Sequence, residues 1–462
     1  MSERGGLLLG LLILAVLSLG VRSGLYRAVS PVDLTGDEVR YVRAATQLHQ
    51  GEGYGVDGVR DARWPPAQSF FLSLFLRDDS SSTQDPSPKD LRSLHQAQLV
   101  LGALLALATM VLGRELFDVR TGFLAGLIAA FYPTFLGYSH YFWSETLLLV
   151  LITAAFSLAI RAARSNSPIE AILAGLLFGA AGLTREIAIV LAVGTAIWWW
   201  VSVPESDRRR ARARALLMLI CTAVVILPWT VRNHRLLGRF VPVSTVFWMG
   251  MREGNTVQGK DWLRPDWQEL SGFRRQLASF DEEMEGVDFA KAEAVQLIRQ
   301  EQPTWIFKKL ARNSSLLFSP DSFVLKKISR GSYGEPALWV VRLVLVAVLL
   351  SYLGISIGGL FGIASSRGRA RRLLPILVFG IIATVHILAQ ASSRYRLPLM
   401  PLLMVYAAAW VSRGFPVRQL GRRNLAVCAL CLLILVGWCV PYFWNDALAL
   451  WESGTYVEPW RP

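Results

Sequence analysis

Long apolar stretches recur along the chain, separated by short polar breaks. A membrane-crossing helix needs roughly 17–25 mainly apolar residues. About eleven runs approach that length: residues 5–25, 94–112, 121–138, 143–160, 168–184, 187–203, 215–231, 336–360, 373–391, 397–412 and 424–441. This pattern predicts an all-α polytopic membrane protein with about eleven transmembrane helices. After the first run, Val21-Arg22-Ser23-Gly24 lacks the small-x-small cleavage site of a signal peptide, so that run reads as an uncleaved anchor.

Two longer polar segments interrupt the pattern, at about 26–93 and 232–335. In the first, Val39, Val42, Ala45 and Leu48 recur at helical spacing between Asp37 and Gln50. The run from Ser80 to Pro88 reads as a flexible tip. The second segment predicts a polar helix from about Asp281 to Gln300, stopped near Pro303. Beyond it, Trp305, Ile306, Leu310, Leu316 and Leu317 alternate with Lys308, Lys309 and Arg312, a pattern suited to a helix lying in the membrane interface.

Composition agrees. Hydrophobic residues make up 53% and charged residues 18%, below the roughly 25% of soluble domains. The mean hydropathy is +0.40. Four cysteines are too few for a disulfide scaffold. The net charge of +14, from 48 basic and 34 acidic residues, would suggest a nucleic-acid partner in a soluble protein. Here its distribution gives another explanation. With the N-terminus in the cytoplasm, the inner loops hold Arg114 and Arg120, Arg161 and Arg164, the run from Arg208 to Arg214, the cluster Arg367 to Arg372, and Arg413, Arg418, Arg422 and Arg423. The short outer loops carry almost no positive charge, as the positive-inside rule requires. Both long segments, and the tail from Tyr442, then lie outside. The excess is mostly an orientation signal, and no nucleic-acid partner is expected.

Topology leaves a few ionisable groups unexplained, all at the outer face, where such groups are usually paired or functional. Asp37-Glu38 follows Leu34-Thr35-Gly36 and opens a helix. Capping accounts for it, and so does a catalytic carboxylate at the membrane surface. Glu145 opens an apolar run after Tyr141-Phe142-Trp143-Ser144, where Ser144 as N-cap is the plain alternative. Arg185, in Gly182-Leu183-Thr184-Arg185-Glu186, suits either a local pair with Glu186 or a lipid phosphate. Arg394 and Arg396, in Arg394-Tyr395-Arg396-Leu397-Pro398, run against the positive-inside bias, and guanidinium binds phosphate bidentately. Pro228-Trp229-Thr230-Val231-Arg232-Asn233 suits an interfacial anchor as well as a site. His140 is close enough to Glu145 in sequence to join a divalent metal site or to be a lone interfacial histidine. Cys428-x-x-Cys431 lacks accompanying ligands. No P-loop, GxGxxG or nucleophile elbow is present, which disfavours a nucleotide-driven machine.

Four local signatures resemble the GT-C class of polytopic glycosyltransferases. The likeness is to bacterial relatives of the dolichyl-phosphate-mannose protein mannosyltransferases, a group that includes the lipid A aminoarabinose transferase. The first is Gly36-Asp37-Glu38-x-x-Tyr41 with Ala44 and Ala45, then Gly51-Glu52-Gly53-Tyr54 and Trp64-Pro65-Pro66. The second is Ser144-Glu145 and the third Gly182-Leu183-Thr184-Arg185. The fourth is Pro228 to Asn233, followed by Gly238-Arg239-Phe240-Val241-Pro242-Val243-Ser244-Thr245 and Gly254-Asn255. Arg394-Tyr395-Arg396-Leu397-Pro398-x-x-Pro401 also fits, and the matches run in order from about residue 33 to 410.

The resemblance implies a single GT-C-like transmembrane domain over 1–462, with juxtamembrane helices on its outer face. It implies a bacterial inner or plasma membrane location and a site facing the periplasm. The donor would be a sugar on polyprenyl phosphate, and the acceptor a glycan, lipid or protein. Asp37, with Glu38 beside it, matches the catalytic carboxylate of the first outer loop. Glu145 matches the acidic position of the second, and Arg185, Arg394 and Arg396 would hold the donor phosphate. Tyr41, His140, Arg232, Asn233 and Tyr395 are further site candidates. No cofactor is firmly implied, although a divalent metal fits the class. The large C-terminal domain of oligosaccharyltransferases and the long central domain of eukaryotic protein mannosyltransferases have no counterpart here, so their acceptors are not carried over. Two rival readings are a polymerase or ligase of lipid-linked glycans and a lipid or solute transporter. The transporter would require interrupted helices and inverted repeats, which the sequence lacks.

Overall fold

The structure is a computed structural model that describes residues 3–29, 34–77, 86–165, 167–203, 205–255, 276, 282–415 and 420–456. Most of the tip expected from Ser80 lies outside these residues. In chain order the apolar helices are α1 (Glu3–Ala28), α4 (Pro88–Leu116), α5 (Val119–Phe131), α7 (Glu145–Ser165), α8 (Pro168–Thr184), α9 (Ile187–Ser202), α10 (Arg208–Leu237), α15 (Leu338–Ser365), α16 (Arg369–Leu388), α17 (Met400–Ser412), α18 (Arg422–Ile434) and α19 (Val440–Ser453). Among the described residues seven helical spans are long and apolar enough to cross a membrane, with α18 and α19 merged into one of them. Three more, α5, α8 and α9, are apolar but shorter. The chain is an integral membrane protein, with fewer full-length spans than the eleven apolar runs predict.

Two differences have local causes. The run 121–138 is broken because Pro133 has no N–H to continue α5; Tyr132 is extended, and Pro133 starts the short α6 (Pro133–Tyr138). The chain from Tyr442 continues as helix beyond the last apolar run: a π-helical turn at Leu435–Cys439 leads into a last helix that runs past Pro441 to Ser453.

Helices approach closely where side chains are absent. A Cβ on Gly113 of α4 would sit 2.7 Å from the Cα of Gly122 in α5. One on Gly362 of α15 would sit 2.0 Å from the carbonyl oxygen of Tyr406 in α17. With Gly358 one turn earlier, this is the small-xxx-small contact expected where lipid supplies no hydrophobic drive to helix association.

The two long segments fold over one end of the bundle. The first holds α2 (Asp37–His49), a hairpin of β1 (Gly55–Val56) and β2 (Val59–Arg60), and α3 (Ala67–Ser73). The hairpin turn takes positive φ at both Asp57 (58°) and Gly58 (77°), as a two-residue turn of matching twist requires. The second holds α11 (Val246–Gly254), α12 (Glu283–Gln300), α13 (Trp305–Phe318) and α14 (Phe323–Ser329). Glu283 clamps the segments together: Oε2 accepts from the Ala62 N–H (3.0 Å) and Oε1 from the Thr245 hydroxyl (2.6 Å), while the Thr245 N–H donates to Ala62 O (3.0 Å).

Helix α13 is amphipathic as expected, and part of its apolar surface faces outward while two of its basic residues turn inward. Lys309 and Arg312 are buried, whereas Phe307 and Leu310 are 71% and 47% exposed. Inside, Lys309 Nζ donates to the carbonyls of Gly254 and Ala389, the latter at 2.9 Å. An apolar face turned outward is stable only against lipid.

Candidate functional site

Four helix ends meet beneath these loops. Asp37 is the first residue of α2, entered through Gly36 at φ 60°. Glu145 begins α7, Arg185 caps α8, and Arg394 lies in the 3₁₀ turn Ser393–Leu399 before α17. Carboxylates at helix starts are favoured by the positive dipole end, so both acids sit where their helices stabilise them.

The four side chains form one chain of charge. Arg394 Nη1 donates to Asp37 Oδ2 at 2.9 Å, and its Nε lies 3.9 Å from Glu145 Oε1. Arg185 Nη1 is 3.3 Å from the same oxygen. The Arg394 guanidinium sits among the rings of Trp143, Phe323 and Tyr395, at 5.5, 5.5 and 5.2 Å. This aromatic surround desolvates the cation and strengthens its hold on anions. Tyr395 joins both arginines. Its hydroxyl accepts from Arg394 Nη2 (3.4 Å) and donates to Gln390 Oε1 (3.2 Å), while Arg185 lies over its ring at 5.3 Å. His386 stacks on that ring at 4.5 Å.

Exposure separates the two carboxylates. The Asp37 side chain is 27% exposed and that of Glu145 3%. Glu145 Oε1 is buried without a hydrogen-bond partner, held only by its two ion pairs. Asp37 can therefore meet a solvent-side group, whereas Glu145 fixes the arginines from behind.

Glu38 points elsewhere. Its carboxylate is buried against Lys327 Nζ and accepts from the backbone N–H of Phe142 (3.2 Å) and Thr35 (3.4 Å). Burial pushes this carboxyl up from its ordinary range, against the pull of the Lys327 ammonium. Lys327 also donates to the Thr35 hydroxyl and lies over the rings of Tyr141 (4.9 Å) and Trp143 (5.4 Å). This buried pair fixes the start of α2, and so Asp37, to α14.

Several other expected residues hold the scaffold. Arg396 donates to the carbonyls of Leu317 (2.9 Å), Ser319 and Asp321 (2.7 Å) and stacks on Tyr352, so its guanidinium is committed to backbone and not presented to a phosphate. Arg232 donates to the carbonyls of Asp61 (2.6 Å) and Tyr54 (2.8 Å) and lies 4.6 Å over Trp229. Asn233 Nδ2 donates to the carbonyls of Val241 and Val243. The Pro228–Asn233 motif thus ties α10 to the loop after it through Trp229, Thr230 and Asn233, and to the first long segment through Arg232. Tyr41 is buried and donates to the Ser144 hydroxyl at 3.2 Å. His140 packs against Tyr26 beside His95 instead of joining Glu145, and burial lowers its pKa to about 4. Glu186 does not pair with Arg185 by hydrogen bond; its Oε1 accepts from the Ser244 N–H (3.1 Å) and hydroxyl (2.6 Å).

Lys327, Trp143, Phe323 and Gln390 were not singled out by sequence. Their roles depend on contacts between distant segments, and no local motif marks them. Among the described residues no three His, Cys, Asp or Glu side chains converge as metal ligands. Both site carboxylates face guanidinium groups, a donor set that does not fit a protein-held divalent metal.

Residues 89–231 match the family model described as dolichyl-phosphate-mannose-protein mannosyltransferase. That third of the chain contains Glu145 and Arg185. No curated protein sequence matches the chain. Solved structures of the Archaeoglobus fulgidus oligosaccharyltransferase are similar over nearly its whole length. The form tethered to an acceptor peptide aligns with TM-score 0.54 and 15% identity, over 98% of this chain and 56% of that one. AglB from the same organism, in complex with an inhibitory peptide and a dolichol-phosphate, gives 0.51 and 16%, also over 98% and 56%. This chain thus spans little more than half the length of those relatives. ArnT from Cupriavidus metallidurans aligns at 14% identity over 88% of this chain and 78% of that one, with TM-score 0.42, too loose a likeness to place residues. Residues 89–231 are thus similar to the dolichyl-phosphate-mannose-protein mannosyltransferase family, and the chain carries the membrane fold seen in the Archaeoglobus fulgidus oligosaccharyltransferase.

Proposed function

We propose that the protein transfers a sugar from a polyprenyl-phosphate donor to an acceptor hydroxyl, at the outer membrane face, by a single inverting displacement. The observation that carries this reading is the convergence of Asp37, Glu145, Arg185 and Arg394, from four distant segments, under the loop-covered end of a membrane bundle. The dolichol-phosphate held by AglB lends support for a lipid-phosphate ligand on this fold.

The residue types suit each part of the reaction. The acceptor oxygen attacks the anomeric carbon while its proton passes to the Asp37 carboxylate, the accessible base. The bond from that carbon to the phosphate oxygen breaks, and its electron pair leaves with polyprenyl phosphate. The leaving group is already acidic and needs no protonation. Its growing negative charge is met by Arg394 and Arg185, preorganised by Glu145 and the aromatic surround. Arg396, expected at the phosphate, is reassigned to the scaffold.

A transfer assay tests this with purified protein in lipid nanodiscs and a panel of polyprenyl-phosphate sugars. Wild type should transfer at least one of them. Asp37→Asn should lower the rate by roughly 10²–10⁴, the usual worth of a general base. Retained transfer by that variant would refute the assignment.

A further inference from the structure

We infer that the Asp37–Arg394 ion pair is the self-occupied form of the donor site, and that a lipid-linked phosphate must replace Asp37 on Arg394 before Asp37 can act as base. This rests on the donor class proposed above.

Every nitrogen of the Arg394 guanidinium is already engaged. Nη1 holds Asp37, Nη2 reaches the Tyr395 hydroxyl, and Nε faces Glu145. A phosphate seeking a bidentate grip on this fork competes with these three partners for its donors. Glu145 is buried at the start of α7 and shared with Arg185, so it cannot turn away. Tyr395 is stacked on His386 and bonded to Gln390. Asp37 is 27% exposed against 3% for Glu145, so its side chain can rotate toward solvent while the Glu38–Lys327 pair holds the helix start in place.

Charge points the same way. Asp37 and Glu145 balance Arg185 and Arg394, so the closed quartet is neutral and offers an added anion little. Release of Asp37 leaves one net positive charge for a phosphodiester monoanion. The same exchange frees the carboxylate oxygen that the acceptor proton needs. Binding of donor and readiness of the base are then one event, which imposes an order: donor first, activated acceptor second.

The test is equilibrium binding of a short-chain polyprenyl phosphate to the full-length protein in nanodiscs. Asp37→Asn and Asp37→Ser, both lacking the proposed base, should bind this ligand several-fold to about tenfold more tightly than wild type, tenfold corresponding to about 1.4 kcal/mol. Arg394→Gln should lose binding. If wild type and Arg394→Gln behave as stated but both Asp37 variants bind equally or more weakly than wild type, the exchange is wrong and the donor class stands. If wild type does not bind polyprenyl phosphate at all, the donor class itself fails and the exchange with it. The two Asp37 variants guard against misfolding of either one, and their melting profiles should match wild type.

Discussion

Lys327 and Glu38 form a buried ion pair across 289 positions of sequence, joining α14 to the first turn of α2. Removing one partner of such a pair leaves an unpaired buried charge, at a cost of about 3–5 kcal/mol. Lys327→Met should therefore lower the melting temperature sharply and lower transfer through misplacement of Asp37. Glu38→Leu combined with Lys327→Met should recover most of the stability. Thermal unfolding of the two single variants and the double variant decides this; a double variant as unstable as Lys327→Met would show that the pair is not an isolated unit.

Arg394 and Arg396 lie two residues apart and should fail in different ways. Arg394→Gln is expected to lower kcat by roughly 10²–10³, the scale of one lost charge-stabilising donor. Arg396→Gln should lower stability, because three backbone carbonyls lose their donor, with no selective rise in the KM for donor. Parallel kinetics and melting curves separate the two. A donor-specific defect in Arg396→Gln would return that residue to the phosphate.

Lys309 provides a pH signature. Burial, with Arg312 nearby, pushes its ammonium down from 10.5 to about 7. Its neighbours are Arg312, the more distant Glu301, and the carbonyls of Gly254 and Ala389. Between pH 7 and 10.5 the unfolded lysine keeps a proton that the folded one has lost, so stability rises with pH across that window. Below about 7 both forms are charged and the cost of burying the charge is fully present. Apparent melting temperature should climb from pH 6 to 9 in wild type, and the slope should be shallower in Lys309→Met.

Gly254 ends α11 against the turn that leads to Arg394. A Cβ there would meet the Ala389 carbonyl oxygen at 2.0 Å, a contact that forces the backbone apart. Gly254→Ala should lower transfer more than it lowers melting temperature, because Gln390, next to the displaced Ala389, bonds the Tyr395 hydroxyl. Equal loss of both would mean that the turn only supports the fold.

The membrane bundle was legible because hydrophobic length is a property of single segments. Asp37, Glu145, Arg185 and Arg394 were legible because each is a charge that topology does not explain. Arg396 looked equivalent to Arg394, and Arg232 and Asn233 were further candidates, yet their partners are backbone carbonyls that no side-chain pattern encodes. Asp37 and Glu38 could not be told apart by type, but adjacent helical positions point about 100° apart. One therefore turns to Arg394 and the other into the protein. The periodicity of α13 was correctly read as amphipathic. Leu310 faces outward, as the interfacial placement expected from that pattern requires.

The Glu283 carboxylate accepts from Ala62 in one long segment and Thr245 in the other. The two segments thus share a keystone, and neither can be reshaped alone. Under the proposed transfer reaction, acceptor preference is expected to follow their combination. An exchange of acceptor specificity with a relative should succeed only when residues 34–77 and 232–329 are transplanted together, because a single-segment chimera would set a foreign strand against an unmatched carboxylate.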